Sequence, residues 1–165
     1  MKTIKLFAYL ILASFLFACG GDSDDAAPVG NSLSATVTGD ISASFNASGE
    51  VQGQKLVQAN LTSSSNGNVL SIVASEGTGN SMAISIINFD GAGSYSLAIT
   101  SNNTATFTSV NTSTFETTGV TATSGNIEVT VSGNVISATF SFSGEGNNDV
   151  QAEVTGQFSV TAEEQ

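Results

Sequence analysis

The sequence contains no histidine, tryptophan or arginine, and it has one cysteine and one proline. Histidine is the usual general base near neutral pH, and a serine or cysteine nucleophile needs such a base beside it. Zinc and other transition metals normally bind His or Cys side chains. We therefore expect no catalytic triad, no bound metal and no cofactor, and we predict that the protein is not an enzyme.

Positive charge is also scarce. The three cations are Lys2, Lys5 and Lys55, against fourteen acidic residues, and the formal net charge is −11. A protein that binds the phosphates of a nucleic acid needs several Lys or Arg side chains to replace counterions. The composition therefore argues against nucleic-acid binding, and it disfavours phosphorylated ligands for the same reason.

The N-terminus has the pattern of a secretion signal. Lys2 and Lys5 precede an apolar stretch over residues 6–18. A membrane-spanning helix needs about 20 apolar residues, whereas the apolar region of a signal peptide has about 7–15. The length therefore predicts a signal peptide over residues 1–18.

The residues at the end of this stretch are Leu16, Phe17, Ala18 and Cys19. This segment resembles the lipobox of bacterial lipoproteins. The resemblance implies cleavage between Ala18 and Cys19, with lipid attached to the Cys19 sulfur and to the new amino terminus. Two or more acyl chains anchor a protein stably, so the implied partner of Cys19 is a membrane.

A polar segment follows, and we interpret residues 19–30 as the lipidated cysteine and a flexible acidic tether. Its acids are Asp22, Asp24 and Asp25. They resemble the export signal that directs Bacteroidetes-type lipoproteins to the external face of the outer membrane. A run of solvated charges that keeps the tether extended explains these acids equally well. A calcium-binding loop is a third interpretation, but the segment lacks the closing glutamate of an EF-hand.

From residue 31 to residue 165 apolar and polar residues alternate, which indicates strands with one face in a core. The predicted core faces are the following: Ile41, Ala43, Phe45 and Ala47; Val57, Ala59 and Leu61; Leu70 and Ile72; Met82, Ile84 and Ile86; Tyr95, Leu97 and Ile99; Ile127, Val129 and Val131; Ile136, Ala138, Phe140 and Phe142; Val150, Ala152, Val154, Phe158 and Val160.

The connections between these runs are short and rich in Gly and Asn, and the segment 132–134 predicts a hairpin turn. Gly156 interrupts the last strand, where we expect a bulge or a tight bend. Short connections favour antiparallel pairing. We predict a single all-β domain of about nine or ten short strands, either an antiparallel β-sandwich or an up-and-down barrel.

Two C-terminal segments, 135–143 and 154–160, alternate Val, Ile or Phe with Ser, Thr or Gln. They look like the closing strands of small Bacteroidetes lipoprotein families classed as domains of unknown function. The resemblance covers these strands and the lipobox region, and it implies a location and a β fold but no activity.

Some residues could still form a site. Paired carboxylates can hydrolyse glycosides, and the candidates are Asp40, Glu50, Glu76, Asp90, Glu116 and Glu128. All lie among polar or turn residues, as surface acids do. The alternation also places Thr104, Thr106 and Thr108 on one strand face, which is either a regular hydroxyl array for a ligand or the solvent face of a sheet.

Together these features predict a lipid-anchored lipoprotein of the outer membrane, displayed on the cell surface or, alternatively, on the periplasmic face. Its β domain is predicted to bind a protein or glycan partner, or to have a structural role in the envelope, without catalysis. The alternative function is a carboxylate-dependent glycoside hydrolase or a carbohydrate-binding module at the cell surface.

Overall fold

The computed structural model describes residues 30–164, which contain thirteen β-strands and no α-helix. The single helical turn within this range is a 3₁₀ helix, Asn147–Asp149. The strands are β1 (Ser32–Gly39), β2 (Ala43–Ser48), β3 (Glu50–Val51), β4 (Gln54–Lys55), β5 (Val57–Ser64), β6 (Gly67–Ser75), β7 (Ser81–Ile87), β8 (Gly93–Ser96), β9 (Thr104–Val110), β10 (Thr117–Ser132), β11 (Val135–Glu145), β12 (Gln151–Thr161) and β13 (Glu163–Glu164).

Nine of these strands form one large antiparallel sheet in the order β5-β6-β7-β9-β10-β11-β12-β1-β2, which curls into a half-barrel. The two-residue strand β13 adds to β5 in parallel, and β8 pairs with the second half of β10. The strands β3 and β4 form a separate small hairpin. The prediction of an all-β, mainly antiparallel domain is confirmed.

The concave side of the curled sheet holds the core, because the apolar residues of each strand point to that side. Phe45 of β2 meets Phe107 of β9 across the core, with ring centroids 6.3 Å apart in an edge-to-face arrangement. Most of the predicted core positions are buried. Five predicted core positions are only partly buried and pack against the core, namely Ile41, Ala43, Leu61, Tyr95 and Val150. Two others are exposed: Ile99 is 75% exposed and Val131 is 42% exposed. Ile99 lies beyond the end of β8, and Val131 lies at the end of β10 beside the hairpin turn.

The long strand β10 turns the sheet, because it has different partners along its two halves. Residues 117–121 pair with β9 and residues 126–129 pair with β8. The register against β11 shifts between Ala122 and Ser124, so the extra residue is Thr123. Such a bulge bends a strand and increases its twist. The sequence pattern did not locate this bulge.

Gly156 has a different role from the predicted one. The register of β12 against both β1 and β11 continues through Gly156 without a shift, so no bulge lies there. A Cβ atom at this position would overlap the ring of Phe140 and the carbonyl oxygen of Ser34. Phe140 stacks against Phe142 and Phe158, with both pairs of centroids 6.4 Å apart. Glycine is therefore required because an aromatic ring lies against the strand.

Polar contacts join the two ends of the half-barrel. The Glu76 carboxylate, in the turn between β6 and β7, accepts a hydrogen bond from the backbone N–H of Asn46 on the edge strand β2. Asn31 donates from its side chain to the Val57 carbonyl at 3.3 Å and accepts from the Thr161 N–H at 2.8 Å. These contacts fasten β5, β12 and the start of β1 to one another.

Candidate functional site

A groove of about 640 Å³ lies on the outer, polar face of β10, β11, β12, β1 and β2. Thirteen residues line it, and ten of them are polar. The three apolar residues, Leu33, Ala138 and Phe158, belong to the core and are at most 6% exposed. We call this concavity the polar groove. Ten of its thirteen lining side chains can therefore donate or accept hydrogen bonds.

The ten polar residues form two rows that cross five strands, because the strand register aligns them. The first row is Thr130, Ser137, Ser159, Ser32 and Ser48, and the second row is Glu128, Thr139, Gln157, Ser34 and Asn46. Neighbouring members of a row are about 4.8 Å apart, and the rows are separated by two residues along each strand, or about 6.8 Å. The groove is therefore a regular grid of polar groups.

The two rows differ in how far their side chains already interact within the protein. In the first row, Ser137 Oγ donates to Ser159 Oγ at 3.1 Å, and Thr130 Oγ1 donates to the Ser137 carbonyl at 3.2 Å. In the second row, the side chains of Thr139 and Gln157 have no hydrogen-bond partner within the described residues. These side chains are free to bind a ligand.

Glu128, at one end of the second row, is the one carboxylate among the residues lining the polar groove. Its Oε1 atom accepts hydrogen bonds from Ser94 Oγ and Asn126 Nδ2, both at 2.7 Å. These contacts fix the orientation of the carboxylate and leave Oε2 able to accept from a ligand. A glycosidase needs a second carboxyl group across the scissile bond, and the described residues place no other acid in the lining of this groove.

Among residues 30–164, no cation lines the polar groove. Lys55, the single cation among the described residues, lies at another concavity and forms an ion pair with Glu163 at 2.5 Å. The hydrogen bond and the charge of Glu163 raise the pKa of Lys55, and the hydrogen bond from Lys55 lowers the pKa of Glu163. The groove therefore offers hydrogen bonds and one negative charge.

The structure separates the carboxylates that the sequence offered as candidates. Asp40 accepts from the Gln151 N–H, and Asp90 lies 2.8 Å from the Tyr95 hydroxyl. Burial and the hydrogen bond to Asp90 raise the pKa of Tyr95. Glu116 accepts from Thr114 within its own loop.

The remaining candidates are equally scattered. Glu50 lies near Lys55, and Glu76 contacts the edge strand. Of the six candidates, only Glu128 lies in the polar groove.

The predicted threonine array forms but lies outside the groove. Thr104, Thr106 and Thr108 share the outer face of β9, and Thr106 and Thr121 have their hydroxyl oxygens 3.4 Å apart. Sequence reasoning offered Glu128 but missed the other residues of the second row, Ser34 and Gln157 among them. Their polar positions in alternating strands were visible, but the register that aligns them was not.

The described residues, 30–164, contain no group of three or more His, Cys, Asp or Glu side chains able to hold a metal ion. In the same range, no helix is long and apolar enough to cross a bilayer. The residues predicted for cleavage, lipid attachment and export are Ala18, Cys19, Asp22, Asp24 and Asp25, and all of them lie outside the described part of the chain.

Comparison with known proteins identifies the family of this chain. Neither the curated proteins nor the solved structures contain a match to this chain. A family model does match residues 41–162, which include every strand from β2 to β12. The chain therefore belongs to the family described as Domain of unknown function (DUF6252).

Proposed function

We propose that the protein is a lipid-anchored, non-catalytic binding protein of the bacterial envelope and that the polar groove is its binding site. The observation that carries the proposal is the two-row grid of polar side chains in a concavity of about 640 Å³. Ligand sites are typically concave and carry convergent polar groups.

The chemistry of the groove favours binding over hydrolysis. Hydrolysis by carboxylates alone needs a pair of acids on either side of the scissile bond. The groove supplies Glu128 and otherwise hydroxyl and amide groups. Such groups can hold a ligand but do not transfer protons readily near neutral pH.

The anchoring part of the proposal depends on the sequence around Cys19, which resembles a lipobox. The described residues begin at Gly30, eleven positions after Cys19. Eleven residues extend at most about 36 Å. The domain then stays close to the membrane, on the outer face of the outer membrane if Asp22, Asp24 and Asp25 act as an export signal, or otherwise on its periplasmic face.

Capture from the envelope tests the binding function. The full-length protein, solubilised in detergent and immobilised, is expected to retain a component of its own envelope extract. A panel of glycans incubated with the same protein should release no reducing ends. Two results together would favour the hydrolase over the binding protein: no component is retained, and the protein cleaves a glycan in a reaction that Glu128→Gln abolishes.

Protease treatment of intact cells tests the location. A surface domain is expected to be degraded on whole cells. Protection on whole cells, followed by degradation after lysis, would place the domain on the periplasmic side.

A further inference from the structure

The chemistry of the polar groove selects the kind of ligand, on the assumption that the groove is the binding site. We infer that the ligand is a neutral glycan that lies across the strands along the two rows. Four observations support this assignment: the charge of the groove, the state of its backbone groups, its repeat distance and its hydrogen-bond capacity.

Charge excludes anionic ligands first. Phosphate, sulfate and carboxylate groups bind where Arg, Lys or clustered backbone N–H groups meet them. In the part of the chain that the structure describes, no cation lines the groove and Glu128 is its one charged side chain. An anionic ligand would lose its hydration without gaining a counter-charge. A neutral ligand has no such cost.

The backbone excludes the usual mode of peptide binding. An extended peptide gains affinity by adding a strand to a free sheet edge, where its main chain pairs with unpaired N–H and C=O groups. The groove lies instead on the face of five neighbouring strands, four of which pair with a strand on each side. Only side chains are available to a ligand there. A partner that binds entirely through its own hydroxyl groups suits this surface.

The dimensions of the grid match those of a glycan chain, which repeats the same sugar unit. The spacing of about 4.8 Å within a row, set by the distance between strands, is close to the length of one sugar residue in an extended glycan. The separation between rows of about 6.8 Å approximates the width across a sugar ring and its hydroxyl groups. A glycan crossing the strands can therefore present hydroxyl groups to both rows at every strand.

The hydrogen-bond capacity matches that of sugar hydroxyls, which both donate and accept. Serine and threonine hydroxyls and side-chain amides do the same, and Glu128 Oε2 adds an acceptor. Ser94, on β8, pairs in register with Glu128 and extends the second row to a sixth strand. The second row is thus the main contact surface for the glycan, and Thr139 and Gln157 lie at its centre.

Substitution of two neighbouring residues of the second row tests the inference. Gln157→Ala and Thr139→Val each remove hydrogen-bonding groups without changing the core, because both side chains are exposed. The matched controls are Gln58→Ala and Thr62→Val, which change exposed residues of the same types on β5, outside the groove. Unchanged thermal unfolding would confirm that all four variants fold.

The probes are neutral glucan, mannan, xylan and galactan, a sulfated glucan, and the protein's own envelope extract, applied to the full-length protein in detergent. We expect at least one neutral glycan to bind. Its affinity should fall about threefold to tenfold with each groove substitution, as loss of a hydrogen bond implies, and should not change in the controls. The sulfated glucan should bind more weakly than neutral glucan at low salt.

Several results would overturn the inference. Stronger binding of sulfated than of neutral glucan would show that anions are recognised. Equal loss of glycan affinity in groove and control variants, or no loss in either, would remove the groove from recognition. Capture of an envelope protein without binding of any neutral glycan would support the binding function but show that the proposed ligand class is wrong. Failure to retain any probe would contradict the binding function itself.

Discussion

Gly156 and Phe140 face each other on β12 and β11, and the ring of Phe140 occupies the space that a side chain at position 156 would need. A Cβ atom there would also approach the Ala35 Cβ to 2.9 Å. Because the Ser34 carbonyl belongs to a paired strand, the backbone cannot move away without loss of register. Glycine at this position thus allows three strands to pack closely around an aromatic cluster.

The first prediction follows from this crowding. Gly156→Ala is expected to lower the free energy of unfolding by about 1–3 kcal/mol, as overpacking of a close-packed core does. Urea unfolding followed by circular dichroism measures the change. Gly77→Ala is the control, since nothing lies within 4 Å of a Cβ at that position, and its effect should stay within about 0.5 kcal/mol. Equal effects of the two substitutions would contradict the proposed crowding.

The second prediction concerns the ion pair of Lys55 and Glu163. The pKa of Glu163 is lowered, so its contribution to stability is present above its unfolded pKa and is lost as the pH falls through the folded pKa. The pKa of Lys55 is raised, so its contribution is present below its unfolded pKa and is lost as the pH rises through the folded pKa. The pair therefore stabilises the fold between about pH 4.3 and pH 10.4, the ordinary values of Glu and Lys.

Thermal unfolding across pH measures this contribution. Lys55→Gln should lower the melting temperature slightly near neutral pH at low salt. The difference should disappear in strong acid, in strong alkali and at 1 M salt, where exposed charges are screened. A difference that is independent of pH and of salt would show that Lys55 acts through packing and not through its charge.

At the scale of elements, the edge strand β2 is the end of the sheet, and Glu76 reaches it from the turn between β6 and β7. The other carboxylate oxygen of Glu76 accepts from Thr78 at 3.1 Å and from Asn80 at 3.0 Å. The turn therefore holds the carboxylate in place for the N–H of Asn46. An exposed edge strand can pair with another chain, and this contact occupies one of its free donors.

The third prediction is that Glu76→Ala loosens this end of the sheet. The free energy of unfolding should fall by about 1 kcal/mol, the net value of a hydrogen bond. Amide hydrogen exchange at Asn46 should become faster. Glu116→Ala is the matched control, because Glu116 bonds only within its own loop, and it should leave exchange at Asn46 unchanged. Unaltered exchange at Asn46 in the Glu76 variant would show that the carboxylate does not close the edge.

At the scale of the whole molecule, the described domain starts at Gly30, and β1 begins two residues later, in the first row of the polar groove. In the anchored protein that we propose, a tether attached at Gly30 would keep the groove near the membrane. A groove so placed would favour ligands that are themselves part of the envelope.

The fourth prediction addresses the anchor. Cys19→Ala should abolish labelling by a palmitate analogue and shift the protein from the membrane fraction to the soluble fraction, because no other residue can carry the lipid that the lipobox resemblance implies. Ser23→Ala, in the same segment, is the control and should label normally. Equal labelling of wild type and the Cys19 variant would refute lipidation at this residue.

The sequence was sufficient to predict the all-β class, most of the core faces and the hairpin between β10 and β11. These features depend on local alternation and on turn residues, which act over a few neighbours. The predictions that failed concern residues beyond the end of a strand or residues that pack against a side chain of a neighbouring strand. Ile99 continues an apolar alternation after β8 has ended, and Gly156 looks like a bulge although the ring of Phe140 explains it.

The sequence by itself also determined what the protein lacks, namely histidine, arginine and tryptophan, and so it limited the chemistry available to any site. The tertiary structure alone decided where a site could form. The polar groove joins residues from β1, β2, β10, β11 and β12, and Ser34 and Gln157 lie opposite each other although 123 positions separate them along the chain. Alternation assigns each residue to a face, but the order and register of distant strands depend on how the whole sheet curls around its core.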